Sequence, residues 1–286
     1  MKARNNPFLA AMVLSVASVA AAPLYWKTST AASWTSATWA TLPGGTYDQA
    51  WVSGSDVTFE DNGGTALTIT GATTQFASIT ANENVTVTAS GTLGTSGTVA
   101  TVDVATGKSL NFAGQALSTA AGTGFIKNGA GTWTLSNGNQ YPGGFTLNAG
   151  TVAVGGVNAL GDGGTLTING GTIRSATTAA RNLADKYDLG IVIGGNVTLG
   201  DATNNGLLTF SNNTDLGAAT RTLTVNSAVT HTGNIFGSSG TGLIKTGPGI
   251  LTLSGSNTYS GNTTISNGIL ATTGTGALPG FATSGR

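Results

Sequence analysis

Side chains that could carry out chemistry are few in this chain, and they are scattered. His231 is the single histidine, and there is no cysteine. A zinc site draws on several His, Cys or carboxylate ligands, and a Ser-His-Asp triad needs a histidine oriented by an acid. His231 lies in the alternating run AVTHTGNIF with no acidic neighbour, so it reads as a structural residue of a strand. Asp103, Asp162, Asp201 and Asp215 stand alone, and two groups of charges are denser. Asp56, Glu60 and Asp61 form the first. Asp56 and Glu60 lie four apart across V-T-F and share one face of a strand, an arrangement open to a calcium clip, a salt bridge or a solvated strand edge. Arg181, Asp185, Lys186 and Asp188 form the second, which reads as a surface ion-pair network rather than the converging carboxylates of a glycosidase or lyase. No catalytic residue, metal ligand or cofactor site is assigned, and the chain reads as non-enzymatic.

Two lysines stand in a more suggestive setting. Residues 122–137 read GTGFIKNGAGTWTLSN and residues 240–255 read GTGLIKTGPGILTLSG, with Lys127 and Lys245 as the sole charges. Glycines around a lysine invite a phosphate-binding reading. A phosphate loop, however, needs G-x-x-x-x-G-K-[ST] ahead of a helix, and here alternating strand-like runs follow. The glycines therefore read as corners and the lysines as facing water. Four of the five tryptophans, Trp26, Trp34, Trp39 and Trp51, crowd into 23–62. Exposed rings could stack on sugars, but a compact aromatic segment reads first as a buried cap. A polysaccharide-binding or polysaccharide-degrading protein stays open as the alternative.

The elements that must position these residues are legible from composition. Charged residues make up 8% of the chain, against about 25% in an ordinary domain. Thr, Ser and Asn must do the polar work instead. Eleven basic and eleven acidic residues with no basic cluster exclude a nucleic-acid partner, which needs a Lys/Arg patch to neutralise phosphates. A polybasic membrane surface is excluded for the same reason. Residues 1–21 read as a signal peptide that engages the export machinery: Lys2 and Arg4 precede an apolar stretch from Phe8 to Val19, with cleavage after Ala21.

From Leu67 onward, apolar and polar residues alternate in short runs such as Leu67-Thr-Ile69-Thr, Leu110-Asn-Phe112, Leu166-Thr-Ile168-Asn and Leu223-Thr-Val225-Asn. Period 2 with β-branched residues marks half-buried strands. Gly, Asn and Ser punctuate the runs at the spacing of an all-β protein. Laid over each other without a gap, 122–160 and 240–278 share 19 of 39 positions, among them Asn139/Asn257, Tyr141/Tyr259 and Gly150/Gly268. Such self-similarity predicts stacked units that bury their apolar faces against neighbours. The expected fold is all-β: a right-handed parallel β-helix at 63–286 behind an aromatic cap at 22–62, with repeats at 122–152 and 240–270. Leu253 is expected to point inward. Residues 179–187, AARNLADKY, read as a helical excursion.

At the repeat, GTGLIKTGPGILTLSGSNTYSGNTTISNGIL resembles the autotransporter-associated β-strand repeat, also called the passenger-associated transport repeat. The pattern carried is G-x-L-x-K-x-G-x-G-x-L-x-L-x-G-x-N-x-Y-x-G-x-T-x-I-x-x-G-x-L. The copy at 122–152 departs from it with Trp133 and Phe145 where smaller residues are usual. The resemblance implies a β-helical passenger exported to the cell surface or beyond in Gram-negative and related bacteria, a scaffold or adhesin-like protein with a polysaccharide or another surface molecule as partner. After Gly280 the sequence offers no run of barrel strands, and the second copy opens a coil that is not completed. The expectation is a truncated passenger or a deliberately short relative of one, whose last coil has an open edge prone to self-association.

Overall fold

In the computed structural model the described residues are 22–27, 32–35, 39–63, 67–70, 74–88, 91–118, 124–183 and 190–279. The expected signal segment at 1–21 lies outside them. The chain winds as a parallel β-solenoid with no helix among the described residues. A 12-stranded sheet makes the first wall, running from Leu24–Trp26 through Ser55–Phe59, Gly124–Asn128 and Leu166–Ile168 to Ile235–Phe236. An 11-stranded sheet makes the second, from Ala32–Ser33 through Thr132–Leu135 to Thr263–Ile265. A third sheet of five strands begins at Arg181–Asn182 and ends at Ile269–Thr272. Earlier in the chain, Gly91–Thr95 and Gln115–Leu117 pair with each other and branch from the first wall.

The alternation read from the sequence sets which side of each wall is inside. Along the second wall, Leu67, Val85, Leu110, Trp133, Val152, Ile173, Leu199 and Val225 follow one another in register. All are buried, so each coil covers the apolar row of the one before. The outward side of that wall carries a hydroxyl ladder: Ser109, Thr132, Thr151, Thr172, Thr198, Thr224 and Thr246. Thr224 and Thr246 bond through their hydroxyls at 2.9 Å. Threonine suits the position because its branched Cβ fits the pleat and its hydroxyl meets solvent or the next rung. That is how a chain so poor in charge clothes its surface.

The aromatic N-terminal segment is both the first coil and its cover. Leu24–Trp26 pairs with Ser55–Phe59, and Ala32–Ser33 pairs with Leu67–Thr70. Trp26, Trp34 and Trp39 have no exposed surface, and Trp51 is partly buried against the same core. The rings meet edge-on or tilted, Trp26 on Trp39 at 5.0 Å and Trp34 on Trp51 at 5.5 Å. The Trp39 indole N–H donates to the Trp34 carbonyl at 2.9 Å. Antiparallel bridges of Tyr25 with Ala40 and of Trp39 with Gln49 close this end.

One expectation fails. Within the stretch read as helical, Arg181–Asn182 is a strand that pairs in parallel with Leu208–Phe210. Asn182 and Thr209 are rungs of the third wall, so coil-to-coil pairing overrides the local helical signal. Residues 184–189 of that stretch lie outside the described residues.

Candidate functional site

The repeat corners hold the most specialised side-chain chemistry in the molecule, and there the lysines reverse expectation. Gly124–Asn128 alternates so that Phe125 and Lys127 are buried and Ile126 is half-buried outside. Leu243–Thr246 does the same with Leu243, Ile244 and Lys245. Neither lysine has exposed surface. Each stem runs inside the wall, and its ammonium meets backbone oxygens at the corner. Lys127 Nζ donates to the carbonyls of Asn128, Gly129 at 2.8 Å and Ala149 at 3.4 Å. Lys245 Nζ donates to those of Thr246 at 3.0 Å, Gly247 at 2.9 Å and Asn267 at 3.0 Å. Two acceptors belong to the lysine's own corner and the third to the following coil. The signal was present in the sequence: a residue two after an inward Phe or Leu is itself inward.

Loss of water lowers the Lys127 ammonium to about 8, against which the negative charge of Asp103 works. Burial pulls Lys245 down too. A buried ammonium survives only where every N–H finds an acceptor, and the three carbonyls supply that. The glycines make room for it. Gly129, Gly150, Gly247 and Gly268 take φ between +68° and +75°. A Cβ on Gly268 would stand 2.7 Å from Lys245 Nζ.

The repeat asparagines and tyrosines clamp the next corner. Asn139 Oδ1 accepts from the Leu117 N–H at 2.8 Å, and its Nδ2 donates to the Ala159 carbonyl at 2.6 Å. Asn257 bonds the Ile235 N–H at 2.7 Å and the Ala277 carbonyl at 2.6 Å. Each buried amide thereby ties its own coil to the one before and the one after, satisfying backbone groups that water cannot reach. Tyr141 and Tyr259 have no exposed surface. Tyr141 meets Phe125 edge-on at 4.6 Å, and the Tyr259 hydroxyl pairs with Thr263 Oγ1 at 2.6 Å. They support corners and offer no ligand platform.

The two copies do not occupy the same walls. In the first, the lysine strand is in the first wall and Thr132–Leu135 in the second. In the second, the lysine strand is in the second wall and Ile250–Leu253 in the third. The motif therefore specifies a corner, and it fits more than one corner of the solenoid.

The remaining candidate residues are dispersed. His231 is buried, with Nδ1 at 3.1 Å from the Gly233 carbonyl and Nε2 at 2.7 Å from Thr214 Oγ1. A carbonyl only accepts, so Nδ1 carries the proton and the Thr214 hydroxyl donates to Nε2. Burial lowers the imidazole to about 4, the Gly233 bond working the other way. The ring stacks on Phe210 and borders a cavity of about 20 Å³ lined chiefly by Ile191, Ile193, Leu199, Leu223 and Ile235.

Asp56 and Glu60 share the outward side as expected, but they serve different partners. Asp56 accepts from Ser78 Oγ at 2.6 Å, whereas Glu60 accepts from the Tyr47 hydroxyl and from the Gly44 N–H at 2.9 Å. Asp61 accepts from the Gly63 N–H at 2.9 Å. Asp201 is held below the usual carboxylate range by the N–H groups of Asn204 and Thr203. Asp215 accepts from Gly217 at 2.7 Å. Of the second charge group only Arg181 is described, and it reaches Thr177 Oγ1 at 3.4 Å. Among the described residues no three His, Cys, Asp or Glu lie together as metal ligands would. One further pair has no local sequence signal: Glu83, fully buried, accepts from Lys108 Nζ at 2.9 Å across one coil.

Comparison with known proteins places the repeat. The passenger-associated transport repeat matches at 125–154 and again at 243–271, so the chain carries two copies of it. The chain is similar to the adhesin BmaC autotransporter of Brucella suis biovar 1 (strain 1330), with 34% identity over 185 residues. That match covers 62% of this chain and 5% of the adhesin. No solved structure matches the chain.

Proposed function

We propose that this chain is a structural β-solenoid segment of an exported bacterial surface passenger, an adhesin-like scaffold without catalysis. One observation carries the reading: the motif it shares with passengers is spent on holding coils together. Lys127, Lys245, Asn139 and Asn257 all turn inward and bond backbone groups of adjacent coils. Similarity to an autotransporter adhesin supports an exported, cell-surface setting. The dispersal of the acids, with Asp56, Glu60, Asp61, Asp201 and Asp215 each bonded to a different partner, supports a scaffold rather than an enzyme. Sugar binding through tryptophan platforms finds no support, because Trp26, Trp34 and Trp39 are fully buried and the partly buried Trp51 ring packs against Trp34 and Trp39.

The test is localisation combined with protease resistance. An antibody to the corner at Val157, which is 76% exposed, is expected to label intact expressing cells. Protease shaving of those cells is expected to release a long resistant fragment. Labelling that appears only after permeabilisation would contradict surface display, and ready digestion throughout 124–272 would contradict the scaffold role.

A further inference from the structure

Beside the aromatic cap, the outer side of the first wall carries a groove of about 400 Å³, bordered chiefly by Tyr25, Lys27, Thr58, Glu60, Asp61 and Asn82. Pockets that take small ligands span roughly 300–1,000 Å³. Strand register explains why these side chains meet. Tyr25 pairs with Thr58 and Trp26 with Phe59. Trp26 and Phe59 are buried, so Tyr25 and Thr58 turn outward. The coils stay in step past the strand ends: the Glu60 N–H donates to the Trp26 carbonyl at 2.8 Å, and the Asn82 N–H to the Phe59 carbonyl at 2.9 Å. Lys27, Glu60 and Asn82 are thereby successive rungs, two residues beyond the outward Tyr25 and Thr58.

The groove is braced from one side, and its other polar groups are left over. Both Glu60 oxygens are taken, one by the Tyr47 hydroxyl and the other by the Gly44 N–H at 2.9 Å. That pins the loop carrying Pro43, which borders the groove. Lys27, one rung from Glu60, is exposed and joins neither ion pair found among the described residues, Lys108–Glu83 and Arg174–Asp201. Asp61 uses one oxygen on the Gly63 N–H at 2.9 Å, which leaves the second for a partner. Among the described residues nothing bonds the Asn82 side-chain amide or the Thr58 hydroxyl. The Tyr25 ring is half-buried, unlike the fully buried Tyr141 and Tyr259.

We infer that this groove binds a neutral saccharide, with a sugar ring laid on Tyr25 and its hydroxyls bonded by Lys27, Asp61 and Asn82. The charges select the class. An anionic ligand meets Glu60 and Asp61, and a cationic one meets Lys27. Neutral hydroxyls suit both, since a hydroxyl donates to Asp61 and accepts from Lys27. The Asn82 amide offers a donor and an acceptor side by side, as two adjacent hydroxyls require. The tyrosine ring supplies an apolar face for the C–H side of the sugar. A peptide adding itself as a strand is disfavoured, because Tyr25 and Ala40 exchange backbone hydrogen bonds at 2.9 Å in both directions and so occupy the edge of Leu24–Trp26. The inference rests on the surface-passenger reading, since a displayed scaffold is what meets the saccharides of other surfaces.

NMR titration of the purified full chain with maltotetraose, cellotetraose, chitotetraose and mannotetraose, beside oligogalacturonate as the charged control, tests this. At least one neutral oligosaccharide is expected to bind with a Kd of ~1 mM or tighter. Tyr25→Ala and Asn82→Ala are each expected to weaken it about tenfold or more, while Val157→Ala at another exposed corner leaves it unchanged. Lys27→Ala, at an exposed residue beyond the strand end, repeats the test where the fold is not at stake, and circular dichroism checks the other variants. No binding of any of the four up to ~10 mM, tighter binding of oligogalacturonate, or wild-type affinity in both Tyr25→Ala and Lys27→Ala would overturn the inference. The titration reads binding alone, so its failure leaves surface display standing, and failed surface labelling leaves the groove's affinity standing.

Discussion

The two copies of the repeat spell nearly the same corner around different interiors. In the first, the inward positions are Phe125, Trp133, Tyr141 and Phe145, and the rings contact one another at 4.6–5.9 Å. In the second, the same positions hold Leu243, Leu251, Tyr259 and Thr263. The lysine, asparagine and glycine geometry is unchanged, down to the three carbonyls beneath each ammonium. Corner chemistry and core chemistry are thus separable. The corner is set by backbone groups that recur in every coil, whereas the core has only to be filled. That separation lets one motif serve the corner between the first and second walls and, 118 residues later, the corner between the second and third.

The largest difference between the copies is expected in the core. Trp133→Ala opens a large cavity among packed rings, and a loss of about 4 kcal/mol is expected. Leu251→Ala at the matching position removes less volume, with a loss of about 3 kcal/mol expected. Denaturant melts of both variants check the order, and equal losses would mean that the aromatic interior adds nothing.

Acid should next separate the halves. The His231 imidazole is lowered to about 4 in the fold, from an ordinary value near 6.5. Between those values the unfolded chain binds the extra proton, so stability rises with pH there. The contribution is complete above about 6.5 and falls as pH drops, by about 3 kcal/mol once pH passes below 4. Hydrogen exchange near pH 4 should loosen the coils around Phe210 and His231 before those around Trp133. His231→Gln is expected to abolish the difference.

The smallest effect should be the same in both copies. Lys127→Met and Lys245→Met each strand three carbonyls but also relieve the burial of a charge, so about 2 kcal/mol is expected at either site. Thermal melts check it. A large cost at one lysine and none at the other would mean that the two corners are not equivalent.

Much of this fold is legible beforehand because period 2 and the self-similarity of 122–160 with 240–278 leave few alternatives. The runs at Leu67, Leu110, Leu166 and Leu223 all became strands with their apolar residues inward. The strand at Arg181–Asn182 was hidden, since pairing with Leu208–Phe210 is decided by coil stacking and not by local composition. Lys127 and Lys245 were misread for a different reason. Charge argues for solvent, and the alternation that argues against it becomes persuasive only when three carbonyls are seen to converge. The Glu83–Lys108 pair was invisible because the partners lie one coil apart, a distance that no local motif encodes.

The central claim is that the repeat lysines are internal clamps. Amine-reactive labelling of the folded chain followed by peptide mass analysis tests it most directly. An accessible ammonium lowered to about 8, as Lys127 is, would react faster than an ordinary surface lysine. The opposite is expected: Lys27 labels readily and Lys108 measurably, while Lys127 and Lys245 stay protected until the chain is unfolded. Labelling of Lys127 or Lys245 at the rate of Lys27 in the folded chain would contradict it.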